Sequence, residues 1–469
     1  MHIGQMTVGG ADLPPRPLLT VFDPATGRAA GSAPDASRED IDAAFAAAAG
    51  AFPAWSRDLA TRRGALKALA EVLEESADAL GGLLLTEKGT PRAECVEEVE
   101  GCALWLRHFA DHAFDAELST DEMGALVEIH QRPLGVVAAI APWNFPLLLA
   151  AWKLAPALLA GNTVVLKPSP FTPLATLQFG VLARRVLPPG VLNVISGGDE
   201  VGAMMTSHPV PRKVSFTGSI ETGKLIAAAS APDLKRLTLE LGGNDAAIVL
   251  DDADVEAVAD GVFWGAFANS GQVCSAIKRV YVTDANHDTL VDALVARARN
   301  TVCGDGRDPR SQLGPVSTEP QLERLVELTE DAIARGAKAV IGGHRRAGDG
   351  YFFEPTILVD AVDGMPIVDE EQFGPVLPII RVSDAEEALA RANSTQFGLS
   401  GSVWGTDPAR LFSFAERMQC GTSWINTHLM VGPSQPFGGV KWSGIGVENG
   451  AHGLREFTTT HVVYRPAEA

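Results

Sequence analysis

Two periodicities alternate along most of this chain. From Gly135 onward, short apolar runs are separated by stretches whose apolar residues recur every three or four positions. Val136 to Ala141, Thr163 to Leu166, Val191 to Ile195, Lys213 to Phe216 and Leu237 to Leu241 read as strands, and Pro146 to Leu159 and Pro173 to Val186 as helices between them. Short strands without a solvated face, joined by helices, predict a parallel, doubly wound α/β sheet. A second alternation starts at Ala246 and ends near Asn426, with helices at His287 to Asn300, Glu319 to Arg335, Ala385 to Ala392 and Ala409 to Met418. Upstream, Ser37-Arg-Glu-Asp40 has the form of a capping box with aspartate in the acid position, and it opens an alanine-rich helix. Thr61 to Leu80 and Pro91 to His112 are also helical in period, while the Gly- and Pro-rich residues before Ser37 are expected to wrap over a surface. Leu118 to Gln131 and the tail Glu456 to Tyr464 are strand-like.

At 469 residues the chain is too long for one ordinary core. The expected division is a first α/β lobe from 1–114 and 134–242, a second from 243–443, and a small β element from 115–133 and 456–469. The exposed edge of that tail implies pairing with a neighbouring subunit. A formal net charge of -20 without a basic run argues against a nucleic-acid partner. Five cysteines, odd in number and without a CxxC spacing, read as a reducing compartment. The N-terminus lacks the pattern of a secretory signal, and Phe145 to Gly161 is too short and too interrupted to span a bilayer. A cytoplasmic protein with no membrane partner is the expectation.

The chemistry concentrates between Arg236 and Tyr281. Glu240 ends an alternating apolar run and is followed by Gly242-Gly243, which lets backbone come close to a ligand. Cys274 follows Ser270-Gly-Gln-Val, between a helical stretch (Asp254 to Asn269) and a strand (Ala276 to Val282). A thiol and a carboxylate at the ends of neighbouring elements suit covalent catalysis, with the base activating the water that releases product. Alone, Cys274 reads more readily as a small buried hydrophobe, and Glu240 as a salt-bridged strand end.

The words around them decide between these readings. Leu239-Glu240-Leu-Gly-Gly-Asn244 and Ser270-Gly-Gln-Val-Cys274 resemble the two active-site signatures of the NAD(P)-dependent aldehyde dehydrogenase superfamily, and similar words run from Asp23-Pro-Ala-Thr-Gly27 to Pro436-Phe-Gly-Gly-Val-Lys441. The resemblance implies an oxidoreductase with a variant dinucleotide fold, Cys274 as nucleophile and Glu240 as base. It also implies Asn144 as an oxyanion donor with the Cys274 N–H, although Asn before Phe-Pro is by itself a common helix cap. Lys153 and Glu448 match positions that relay protons away from Glu240. For the cofactor, NAD rather than NADP, the resemblance implies Lys167 and Ser169 at the ribose. Gly198, Gly202, Phe216, Gly218 and Ser219 fall along the dinucleotide turns, and Ile140, Pro142, Trp143 and Leu241 pack beside it. Glu371 takes the nicotinamide-side ribose and Phe373 packs by the nicotinamide. Pro170 departs from the pattern, because many NAD-preferring relatives carry glutamate there, so NADP stays open.

Phe145, Leu148, Trp152, Ser275, Leu429, Met430 and Val431 are the expected substrate pocket. None is Arg or Lys, which points to an uncharged aliphatic or aromatic aldehyde, since a carboxylated one would want a cation. Ser275-Ala-Ile-Lys278 also matches SxxK, but its companion words are missing. His108 and His112 at i, i+4 lack the glutamate of a zinc motif, and no metal is expected. The rivals are a CoA-acylating relative, which has no need of Glu240, and an idle copy of the scaffold, which has no need of the whole set. The resemblance further suggests a homodimer or homotetramer.

Overall fold

The computed structural model describes residues 2–112 and 116–466. Of the expected divisions, residues 1, 113–115 and 467–469 lie outside the described residues. Two largely parallel sheets form the body. In the first, Gly444–Ile445, Arg236–Glu240, Lys213–Thr217, Val136–Ile140, Thr163–Lys167, Leu192–Val194, Thr7–Val8 and Ala11–Asp12 lie side by side, and the five strands from Arg236–Glu240 to Leu192–Val194 are parallel. In the second, Asp245–Val249 lies between Ile277–Thr283 and Ser400–Trp404. The chain passes from one sheet to the other at Gly242-Gly243.

Strand order in the first sheet reverses at Val136–Ile140, which has the next strand in sequence on one side and Lys213–Thr217 on the other. Such a switch point opens a crevice beyond the C-terminal strand ends, and ligands of doubly wound folds bind there. Asn144, Gly218 and Glu240 all sit at these ends.

Two expectations change. The segment before Ser37 is not a mere wrap: Met6, Thr7 and Val8 are buried, so their backbone must be paired, and Thr7–Val8 extends the first sheet antiparallel to Leu192–Val194. The helix expected over Thr61 to Leu80 is two, Leu59–Glu75 and Ala77–Lys88, broken at Ser76. A further helix, Asp199–Ser207, was not anticipated because few of its residues are buried. The capping box closes as written, with Asp40 N–H donating to Ser37 Oγ and Ser37 N–H to Asp40 Oδ2. Thr458–Arg465 pairs antiparallel with Leu126–Pro133, which pairs with Glu117–Thr120, leaving Thr458–Arg465 at the edge of this small sheet.

Candidate active site

The loop carrying Cys274 is held in a costly conformation. The helix Val255–Phe267 ends earlier than its period suggested, and Asn269, Ser270 and Gly271 follow with positive φ. Left-handed backbone costs a non-glycine residue about 1–2 kcal/mol, so fixed partners must hold it. Asn269 Nδ2 donates to Asn144 O (3.3 Å) and Gln272 O (3.2 Å), and Ser270 Oγ donates to Gly314 O (2.8 Å). Lys278, the lysine of the SxxK word, donates from Nζ to the carbonyls of Val273 (2.6 Å) and Cys274 (3.2 Å). The glycines after Glu240 meet this loop closely. A Cβ on Gly243 would stand 2.5 Å from Cys274 O, and one on Gly242 would stand 2.3 Å from Glu371 Oε2.

Asn144 is not a helix cap. The helix it precedes begins at Leu148, and Glu98 Oε1 accepts from the N–H groups of Leu147 (3.0 Å) and Leu148 (3.3 Å) in its place. The Asn144 amide instead crosses to the Cys274 loop, donating to Gln272 O at 3.0 Å. One of its two N–H groups is left for another acceptor.

Two cavities meet at Cys274, the one residue that lines both among the described residues. The first, about 200 Å³, is the switch-point crevice. Pro142, Trp143, Asn144, Gly218, Ser219, Leu241, Glu371 and Phe373 line it, with Gly242 of the glycine pair after Glu240, together with Thr217 and Gln321, which the sequence did not single out. Trp143 and Phe373 meet edge to face at 5.2 Å. Glu371 accepts from Gly243 N–H at 3.0 Å and is raised by burial, with Lys278 opposing. Ser219 caps the helix Ile220–Ser230 by accepting from Thr222 N–H.

The remaining dinucleotide candidates lie apart from this cavity. Ile140 ends its strand, and the Phe216 ring lies against Gly218. Lys167 and Ser169 are buried, and burial brings the Lys167 ammonium down to about 8, with Asp199 and Asp35 opposing. Gly198, whose N–H donates to Asp35 Oδ1 (3.3 Å), and Gly202 have open space where a Cβ would stand. A dinucleotide fits this arrangement: the start of Ile220–Ser230 offers N–H groups beyond the one Ser219 takes, and the glycine backbone is open to close approach.

The second cavity, about 360 Å³, is lined by Phe145, Leu148, Trp152, Ser275, Leu429 and Val431. Met430 is not part of this lining. It is 61% exposed, and its carbonyl accepts from Trp424 Nε1. Trp105 and Phe437 were missed; both pack on Trp152, each with ring centroids 5.6 Å away. Glu94, Glu97 and Glu98 line the same cavity from the helix Arg92–Ala110. Their i, i+3, i+4 spacing was visible, but nothing local says what that helix face meets.

Glu240 belongs to neither lining. Both its carboxyl oxygens are buried without a well-formed hydrogen bond, and its pKa is raised well above the ordinary range, first by burial and then by Glu448, with Lys153 and the Gly439 N–H opposing. Lys153 and Glu448 form a fully buried pair at 2.6 Å, and Lys153 Nζ also donates to Thr217 Oγ1 at 2.7 Å. Thr217 is the register partner of Glu240. Burial pushes the Cys274 thiol up to about 12, Glu240 adding and Lys278 opposing.

The aldehyde dehydrogenase family profile matches residues 14–463. Among curated proteins, the chain is 38% identical over 445 residues to a glutarate-semialdehyde dehydrogenase of Pseudomonas aeruginosa, covering 94% of this chain and 92% of that one. It is 39% identical over 440 residues to human retinaldehyde dehydrogenase 3, covering 92% and 86%. Among solved structures, the NAD+ complex of a Bacillus cereus aldehyde dehydrogenase superposes with a TM-score of 0.96 at 35% identity, covering 99% of this chain and 97% of that one. The chain therefore belongs to the aldehyde dehydrogenase family. It is an NAD(P)-dependent aldehyde dehydrogenase, an enzyme that oxidises an aldehyde to the carboxylic acid. Among the described residues, no helix is long and apolar enough to cross a membrane, and no cluster of three or more His, Cys, Asp or Glu could hold a metal.

Proposed function

We propose that this enzyme acts on an uncharged aliphatic or aromatic aldehyde, through a thioester on Cys274 that water activated by Glu240 hydrolyses. The observation that carries the reading is the position of Cys274 at the meeting of the two cavities. The aldehyde reaches the sulfur from the aromatic side, and the cofactor lies on the other. The thiol gives up its proton to solvent in the open crevice, and the thiolate adds to the carbonyl carbon. The alkoxide so formed takes the free N–H of Asn144 and the backbone N–H of Cys274, donors already fixed by the strained loop. The cofactor, NAD or NADP and more readily NAD, supplies the hydride acceptor when bound. Residues suited to hold it are Glu371, Phe373, Trp143 and the Gly218-Ser219 turn next to the sulfur, with Lys167 and Ser169 at the far ribose. Glu240 then takes a proton from the water that attacks the thioester, and its raised pKa keeps it basic enough to do so.

The walls of the second cavity support the substrate class. They are mainly aromatic and aliphatic, no Lys or Arg lines them, and three glutamates disfavour an anionic tail. The open edge of Thr458–Arg465, with Val462 and Tyr464 exposed, supports assembly as a homodimer or homotetramer. Five unpaired cysteines suit a reducing cytoplasm.

Rapid mixing of Glu240→Gln with aldehyde and cofactor should give a burst of reduced cofactor and little further turnover. Normal steady turnover would remove Glu240 from its role. Across an aldehyde panel without CoA, hexanal and benzaldehyde should show kcat/KM more than about tenfold above glutarate semialdehyde; the reverse order overturns the substrate class.

A further inference from the structure

Asn144 can serve the alkoxide only if its amide is not committed to the helix that follows it. Leu149 N–H donates to Phe145 O at 3.0 Å, so the first helical turn already starts at Phe145. The N–H groups at a helix start have no partner within the helix. Pro146 has no N–H to satisfy, which leaves those of Leu147 and Leu148. The Phe145 side chain has no oxygen to offer them. Asn144, three residues before Leu147, stands at the spacing of a capping side chain. An asparagine there is drawn in two directions, onto Leu147 N–H or across to the Cys274 loop.

Glu98 reaches over to the same N–H from the helix Arg92–Ala110. Its Oε1 accepts from Leu147 N–H at 3.0 Å and from Leu148 N–H at 3.3 Å. Its Oε2 accepts from Lys88 Nζ at 2.9 Å, and both side chains are 1% exposed. The ammonium, 4.3 Å from the centre of the Phe145 ring, keeps one carboxylate oxygen, and the other faces the helix start. A carboxylate at a helix N-terminus gains from the dipole, and a charge-assisted hydrogen bond is roughly twice as strong as a neutral one. On both counts Glu98 is a better acceptor for Leu147 N–H than the Asn144 amide. The same stretch of chain steadies the other side, where Thr90 Oγ1 donates to Asn269 Oδ1 at 3.0 Å and Asn269 Nδ2 donates to Asn144 O. We propose that Glu98, set by Lys88, is a positioning residue for the oxyanion donor: it takes the helix start, so that the Asn144 amide stays turned to the Cys274 loop. The proposal rests on Asn144 being that donor.

Glu98 itself makes and breaks no covalent bond. Without its carboxylate, Leu147 N–H takes the Asn144 side-chain oxygen instead. That rotation carries Asn144 Nδ2 away from Gln272 O, which it now meets at 3.0 Å, and away from the forming alkoxide. The Cys274 N–H is then the alkoxide's remaining donor, and loss of one such donor slows catalysis about 100-fold to 1,000-fold. Glutamine at position 98 behaves according to its neighbour. Beside the Lys88 ammonium its oxygen turns to the cation, and its NH2 group faces the helix N–H groups. With methionine at position 88, the same oxygen is free to cap the helix.

A purely structural reading has the Lys88–Glu98 pair bracing the helices Ala77–Lys88 and Arg92–Ala110 and nothing more. Two double variants separate the readings, Lys88→Met/Glu98→Leu and Lys88→Met/Glu98→Gln. Both lack the two charges, and they differ in whether Leu147 N–H has an acceptor. The readout is the burst of reduced cofactor at saturating aldehyde, because Glu98 also lines the aldehyde cavity and its replacement shifts KM directly. The burst should be roughly tenfold or more slower in the leucine form than in the glutamine form, with equal calorimetric affinity for the cofactor. With Asn144→Ala added to each, the two should burst at the same slow rate, since the amide that Glu98 directs is gone. A smaller gap between the two forms overturns the proposal, as does a gap that persists without Asn144. Should the leucine form fail to fold, Glu98→Gln takes its place, and its burst should be slower than that of Lys88→Met/Glu98→Gln by the same criterion. A slow burst in Asn144→Ala beside equal bursts in the two double variants removes only the role of Glu98, whereas a normal burst in Asn144→Ala removes the oxyanion donor as well.

Discussion

Replacing Lys153 with methionine probes the buried charges behind Glu240. Lys153 and Glu448 have side chains at most 1% exposed and meet at 2.6 Å, so neither charge has water to fall back on. Methionine keeps the length of the stem and removes the cation, leaving Glu448 to be neutralised. Carrying a carboxyl from about 4.5 past pH 7 costs about 3 kcal/mol, at 1.36 kcal/mol per pKa unit. Broken buried pairs generally cost about 3–5 kcal/mol, which agrees. In the variant, the folded-state pKa of Glu448 lies above its unfolded value. The penalty is therefore absent below about pH 4.5 and grows as pH rises. Urea unfolding should show a deficit of about 3 kcal/mol at pH 7, shrinking to about 1 kcal/mol or less at pH 5. The double variant Lys153→Met/Glu448→Leu should recover most of the stability, since apolar side chains replace a buried ion pair at little cost. Its effect on Glu240 has the opposite sense. Glu448 raises Glu240 more than Lys153 lowers it, so removing both moves the pH midpoint of thioester hydrolysis downward. A deficit below about 1 kcal/mol at pH 7, or one that does not change with pH, refutes the assignment of two mutually dependent buried charges.

The other predictions concern groups around the same frame. With its thiol pushed up to about 12, Cys274 in the cofactor-free enzyme should react with iodoacetamide at a rate still climbing above pH 9. Because Glu240 adds to that shift, Glu240→Gln should speed alkylation at pH 9, and slower alkylation would count against the coupling. Buried Glu87 accepts from Leu174 N–H (2.6 Å) and Ala175 N–H (2.9 Å) and is pushed up to about 8 by burial. The folded protein thus keeps a proton that the unfolded chain releases, and stability should fall from pH 4.5 to 8. Glu87→Gln should flatten that slope, by up to about 4 kcal/mol across the window, and equal slopes in urea would rule the effect out. Gly271→Ala places a Cβ 2.2 Å from Gly374 O at a φ of +73°. It should cost about 1–3 kcal/mol and lower kcat at least tenfold while calorimetric cofactor affinity holds; full activity would show that the loop does not need this conformation.

What the sequence made legible follows from how local each feature is. The alternation from Val136 to Glu240 fixed strand identities because a buried parallel strand announces itself by its run of apolar residues. Glu240, Asn144 and Cys274 could be named because their words are contiguous. The loop that aims Cys274 could not be read, since three left-handed residues leave no periodic trace and are held by Asn144 and Gly314 from distant parts of the chain, with Lys278 gripping the loop from the strand that follows it. Lys278 was weighed only as part of a decoy motif. Trp105, Phe437 and the three glutamates share the cavity with Cys274, although more than 150 residues separate each of them from it in sequence. No window along the chain reports such a meeting.

One signal was in plain view and was read too narrowly. Lys213-Val-Ser-Phe-Thr217 beside Arg236-Leu-Thr-Leu-Glu240 alternates with period two, the mark of a strand with one wet face. Both strands lie inside a largely parallel sheet, where Lys213, Ser215, Thr217, Thr238 and Glu240 are buried and Arg236, at the start of its strand, is exposed. The contradiction resolves only if the polar face is satisfied from within, and Lys153 from the earlier helix Leu148–Ala160 and Glu448 and Glu456 from the C-terminal part of the chain supply that satisfaction. Polar alternation in a strand that its neighbours force into the interior costs desolvation free energy at every hydroxyl and amine.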